Sequence, residues 1–139
     1  STLDLLAKEY GIPFICVMHP NPEVQRVWFE NSSYLTLQGA VPYPEFLSMI
    51  AGAKFIITDS GGTVEEASVL GKHTIVLRES TERMESVYAG LSTLVGNEGG
   101  ARLVDAVSEY FGGLPEIVEM NIYGDGLASK RIVEVLENA

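Results

Sequence analysis

"KFIITDSGGTVEEASVLGKHTIVLR", residues 54–78, decides how the chain folds. "KFIITDS" is a continuous apolar run of strand length. "TVEEASVLG" reads as a helix closed by Gly71, and "HTIVLR" is a second apolar strand. Strands joined through a helix, and apolar throughout rather than alternating, point to a parallel sheet covered on both faces. The pair Gly61-Gly62 sits where the first strand hands over to the helix. In open parallel sheets that is the edge where ligands bind, beyond the carboxyl ends of the strands.

The pattern extends in both directions. Upstream, "TLDLLAKEYG" is helical, "PFICVMH" a strand stopped by "PNP", "SYLTLQG" a short strand, and "YPEFLSMIAGA" a helix carrying Phe46, Met49, Ile50 and Ala53 on one face. Downstream, "TERMESVYAG" looks helical and "STLVG" is a short strand. "ARLVDAVSEYFGG" is a helix, and "LASKRIVEVLENA" places Ala128, Ile132, Val135 and Leu136 on one face. This alternation predicts an α/β fold: a Rossmann-like doubly wound parallel sheet with helices on both faces, forming one domain over residues 1–139. The series begins with a helix, so the strand that should feed it is expected to lie outside this sequence. In a doubly wound sheet that first strand is central.

Composition narrows the function classes. With 46% hydrophobic and 20% charged residues, the chain reads as a soluble globular protein. No apolar run approaches the ~18 residues of a membrane span, and the first residues lack the basic start of a signal peptide. A cytoplasmic address is therefore expected. Cys16 lies inside "PFICVM", the setting of a buried structural thiol. A net charge of −10 makes nucleic acid and anionic membranes poor partners. It leaves room for a small phosphorylated ligand, because salt screens bulk charge beyond about 8 Å. Lys72, Arg78 and Arg83 follow closely on the glycine pair.

The first amides of a helix lack intrahelical acceptors and carry the positive end of its dipole. Glycines there let a phosphate approach without meeting a Cβ, and Ser60 adds a hydroxyl. The alternative is a tight turn capped by Ser60. Glu65 and Glu66 lie ~100° apart around a helix, so they cannot both face one ligand. One of them, a turn above a phosphate, is placed to accept ribose hydroxyls; equally, Thr63-Val64-Glu65-Glu66 reads as a capping box. Arg83 is suited either to fork onto phosphate oxygens or to pair with Glu79 or Glu82 at the surface. His19 ends a strand at the same edge, as a ligand contact or a plain turn residue. No metal-ligand spacing surrounds His19 or His73.

Taken in order, "HPNP", "TDSGGTVEEASVLGK", "RESTER" and "IYGDG" resemble the non-hydrolysing UDP-N-acetylglucosamine 2-epimerases. The resemblance runs over nearly the entire chain. It implies the second, UDP-binding domain of a two-domain glycosyltransferase-B fold. In such a domain Ser60, Gly61 and Gly62 would hold the diphosphate, and Glu66 would take the ribose hydroxyls. Arg83 would contact substrate, and Phe46 would lie beside the uracil. His19 matches a histidine that helps bind a second, activating UDP-GlcNAc between the domains. The implied activity is that of an isomerase, interconverting UDP-GlcNAc and UDP-ManNAc for cell-envelope polysaccharides by elimination and re-addition of UDP. No cofactor is implied, and the full-length enzyme would be a homodimer. The family's catalytic carboxylates come from its first domain, so no catalytic residue is assigned here. The isolated chain is expected to bind UDP without turning substrate over.

Departures from the family pattern are local. Ala40 and Val41 stand where relatives tend to carry Pro-Gln, Met84 replaces a usual proline, and "MNIYGDG" (Met120 to Gly126) stands for the commoner "NPYGDG". Two alternatives to an epimerase remain: a non-catalytic nucleotide-sugar-binding or assembly module, and the donor-binding half of a glycosyltransferase.

Overall fold

A computed structural model describes residues 1–97, 100–113 and 121–138. Met120 of the departing "MNIYGDG" motif lies outside the described residues. The described elements alternate as expected: α1 (Thr2–Tyr10), β1 (Phe14–Val17), α2 (Pro22–Asn31), β2 (Leu35–Gln38), α3 (Tyr43–Gly52), β3 (Phe55–Thr58) and α4 (Gly61–Val69). There follow β4 (His73–Val76), α5 (Met84–Tyr88), β5 (Ser92–Leu94), α6 (Ala101–Gly113) and α7 (Ala128–Glu137).

Local chemistry explains the boundaries. In α1 the Ser1 hydroxyl and the Asp4 carboxylate form a reciprocal capping box, and Gly11 closes the helix at φ 61°. Asp4 also accepts the amides of Ser33 and Tyr34 at 2.9 and 2.7 Å, which ties α1 to the entry of β2. Those bonds, led by the one from Ser1, hold its carboxyl well below the usual carboxylate range. The helix α2 corrects the sequence reading, which took "PNP" only as a stop. Asn21 accepts the Glu23 amide as an N-cap and Pro22 fills the first helical position, where its missing N–H costs nothing.

Every strand pair is parallel, with Phe55 opposite His73 in β3–β4 and Thr74 opposite Ser92 in β4–β5. The strands form two sheets, β1-β2 and β3-β4-β5. The two sheets meet through aromatics at their amino ends, where the rings of Phe14 and Phe55 pack edge-on at 5.9 Å. Phe55 also touches Tyr110 and Phe111 of α6.

Side chains alternate across a strand, and β4 distributes them to two layers. Ile75 joins Leu6 of α1 and Leu103, Ala106 and Val107 of α6 in the main core cluster. Its neighbours Thr74 and Val76 point the other way, and both are buried. The helix α4 lies against β3, β4 and α3, with Val64 and Ala67 fully enclosed. The sheet is thus covered on both faces, and α4 is fixed by its buried side rather than by its first turn. Cys16 is half-buried, and desolvation pushes its thiol up, as befits a structural thiol. The apolar face of α7 is different: Ile132, Val135 and Leu136 are each more than half exposed.

Candidate functional site

Because β3 and β4 are parallel and in register, the loops that follow them open on the same edge. The first loop, Asp59-Ser60, leads into α4, and the second carries residues 77–83 into α5. Two stretches 18 residues apart in sequence thereby face each other, and Arg83 Nε donates to Glu65 Oε1 at 2.7 Å.

The helix α4 starts at Gly61 with Ser60 as the N-cap, as the capped-turn alternative expects. The Ser60 hydroxyl accepts the Thr63 amide at 3.5 Å, and the Ser60 carbonyl accepts the Val64 amide at 3.2 Å. The amides of Gly61 and Gly62 have no acceptor among the described residues. Ser60 therefore caps the turn and still leaves a pair of bare N–H groups at the positive end of the helix. Beside Gly62 a Cβ would meet nothing nearer than the Ser60 hydroxyl at 3.9 Å, so that flank is open.

Arg83 closes the opposite flank. A Cβ built on Gly61 would lie 3.1 Å from both Cζ and Nε of Arg83, so the guanidinium rests directly on the glycine. The Arg83 backbone is fixed on both sides: its amide bonds Thr81 Oγ1 at 3.1 Å, and its carbonyl accepts the buried Ser86 hydroxyl at 2.8 Å. Arg83 also donates through Nη1 to Glu82, and the bond to Glu65 raises its pKa further above the ordinary arginine value. Of the two surface partners expected, Glu82 is the one that pairs with Arg83, while Glu79 pairs with Arg102 at 3.4 Å.

Glu66 points elsewhere. Its Oε1 accepts the Tyr43 hydroxyl at 2.8 Å, a bond that raises the Tyr43 pKa. This sets aside the capping-box alternative: Thr63 is the third residue of the helix rather than its cap, and Glu66 does not return to a backbone amide there. Phe46 stands one turn along α3 from Tyr43, on the same stripe, and is half-buried. The adjacent carboxylates thus serve different neighbours, Glu65 the arginine and Glu66 the α3 tyrosine.

Ser60, Gly61, Gly62 and Arg83 are accordingly brought to one edge, on α4 and the loop before α5, while Glu66 faces Tyr43 of α3, the helix that carries Phe46. His19 is held in its own turn, accepting the Asn21 amide on Nδ1 at 3.1 Å, with its carbonyl bonded to the Gln25 side chain. His73 opens β4 at the far edge, where its ring meets Gly90 and Thr93 and burial lowers its pKa. Sequence reasoning missed two participants. Tyr43 was passed over as a helix-start residue, and Tyr123 was seen only as part of "IYGDG". The Tyr123 hydroxyl is buried without a hydrogen-bond partner among the described residues. The turn before it closes despite Ile122, through the Gly124 amide and the Asn121 carbonyl at 2.9 Å.

Comparison with known proteins converges on one family. The family model described as UDP-N-acetylglucosamine 2-epimerase matches residues 1–137. The chain belongs to this family. A UDP-N-acetylglucosamine 2-epimerase of Yersinia pestis is 41% identical over 143 residues, covering 97% of this chain and 38% of that protein. One from Campylobacter jejuni is 38% identical over 134 residues, covering 90% of this chain and 34% of the relative. Among solved structures, the S. aureus MnaA-UDP co-structure superposes with a TM-score of 0.83 at 30% identity, over 98% of this chain and 38% of that one. The Neisseria meningitidis UDP-GlcNAc 2-epimerase bound to UDP-GlcNAc gives a TM-score of 0.69 at 34% identity, over 99% of this chain and 40% of that one. The chain therefore spans little more than a third of the length of these epimerases.

Proposed function

We propose that residues 1–139 form the UDP-holding domain of a UDP-N-acetylglucosamine 2-epimerase. The observation that carries this reading is the pair of bare amides at Gly61 and Gly62, with the Arg83 guanidinium laid against Gly61. An anion seated there meets backbone donors, the helix dipole and a delocalised cation together. A diphosphate fits this set. Ser60, Gly61 and Gly62 hold its oxygens, and Arg83 neutralises charge. Glu66, one turn further along the helix, accepts the ribose hydroxyls, and Phe46 lies beside the base.

In the proposed reaction a base takes the proton from sugar C2, and the C1–O bond breaks with its electron pair leaving on the β-phosphate of UDP. Re-addition of UDP to the glycal, with the proton returned to the opposite face of C2, gives the inverted sugar. The part of the chemistry that belongs to this chain is stabilisation of the departing diphosphate. Donors already aimed at the developing charge need no reorganisation as the bond breaks. The acid and base would come from a further domain, in a cytoplasmic homodimer. His19, on a separate turn, would serve a second UDP-GlcNAc bound between domains.

The test is turnover against binding. Incubated with UDP-GlcNAc, the 139-residue chain is expected to show saturation-transfer NMR contacts to the nucleotide and to form no UDP-ManNAc. Formation of UDP-ManNAc by this chain alone would overturn the division of labour.

A further inference from the structure

Arg83 is the one cation among the described residues that rests on Gly61, and its orientation is set by a residue that has no place in the ligand-contact set above. Nε, on the inner edge of the guanidinium, is taken by Glu65 Oε1 at 2.7 Å, while Nη1 reaches outward to Glu82. These carboxylates differ in kind. Glu65 stands in the body of α4, a helix whose buried side is packed against β3 and β4. Glu82 lies in the loop, and its side chain is 61% exposed against 42% for Glu65.

We propose that Glu65 is the positioning residue of the phosphate site, and that Glu82 is a counter-ion which an incoming diphosphate replaces. Resting on the UDP-holding reading, the proposal deepens it. By occupying Nε, Glu65 pins the guanidinium plane over Gly61 and leaves both Nη groups for phosphate oxygens. An arginine side chain is rich in rotamers, and a partner that has already fixed the fork lowers what ligand binding must supply. A carboxylate near a phosphate site would ordinarily weaken anion binding by repulsion. At Glu65 the positioning effect outweighs that repulsion, and at Glu82 nothing offsets it.

The experiment is calorimetric titration with UDP of the chain and its variants, each checked for folding by circular dichroism and thermal melting. Glu65→Ala is expected to weaken UDP about 3- to 10-fold, the cost of one freed rotamer-rich side chain. Glu65→Gln, which keeps an oxygen to accept from Nε, is expected to recover most of that loss. Glu82→Ala is expected to tighten binding. In an Arg83→Ala background, Glu65→Ala is expected to cause no further weakening. If Glu65→Ala tightens UDP binding as Glu82→Ala does, Glu65 is merely a negative charge and the positioning role is overturned. Equal losses for Ala and Gln, or a loss that persists without Arg83, overturn it too. A folded wild-type chain that does not bind UDP overturns the underlying reading instead, and the positioning role with it.

Discussion

Replacing Gly61 with valine is expected to weaken UDP binding by about 10- to 100-fold, or roughly 1.4 to 2.8 kcal/mol, while leaving the chain folded. The two effects separate because Gly61 has two unrelated surroundings. Its backbone is helical, with no left-handed φ to protect, so a side chain is conformationally acceptable. Helix propensity even favours most residues over glycine, by about 0.5–1 kcal/mol for alanine. Its open face is different: the first added carbon would meet Arg83 Cζ and Nε at 3.1 Å. That contact is tighter than an ordinary van der Waals approach, so the guanidinium must shift. The branched methyls of valine would then stand where phosphate oxygens approach the amides. Calorimetry gives the affinity and a thermal melt gives the fold. A valine variant with unchanged UDP affinity would place the diphosphate away from α4.

Glu66→Gln carries the second large effect. A hydrogen bond to a charged group is worth about 1.5–3 kcal/mol, so losing the carboxylate charge opposite a ribose diol is expected to cost about tenfold or more in UDP affinity. Tyr43 already donates to Oε1 at 2.8 Å, which orients the carboxylate and leaves Oε2 without a protein donor among the described residues. The ribose role has a signature beyond the size of the loss. The native chain is expected to prefer UDP over 2′-deoxy-UDP, and Glu66→Gln to narrow that preference with little change in melting temperature. Equal affinity of variant and native chain for UDP would reject the ribose role.

Periodicity made most of the fold legible, because local rules govern it. The alternation around residues 54–78 gave parallel strands with a crossing helix, and Gly11 ended α1 in the left-handed conformation. The helix at Pro22–Asn31 was missed because "PNP" was read as punctuation. Asn21 and Pro22 were an N-cap and a first helical residue, followed by Val24, Val27 and Trp28 at helical spacing. The division into two sheets was not legible, because which strands pair, and in what register, is fixed by tertiary geometry rather than by periodicity.

The site divided along the same line. Ser60 and the glycines were legible because N-caps and bare amides are local chemistry. The partners of the two glutamates were not. Whether Glu66 closes a capping box depends on where the helix begins, and a start at Gly61 settled that against the cap. Glu65 and Arg83 meet only because parallel β3 and β4 deliver their loops to one edge. Tyr43 reaches Glu66 only because α3 packs on α4. Such pairings are fixed by tertiary geometry and leave no signal in spacing.

The central claim, that the edge formed by α4 and Arg83 holds the diphosphate of UDP, is tested most directly by titrating the isotopically labelled chain with UDP and with uridine. UDP is expected to saturate one site and to move the amide resonances of Gly61, Gly62 and Thr63, with uridine binding far more weakly. A folded chain whose resonances at residues 60–66 and Arg83 are unmoved by saturating UDP would contradict it.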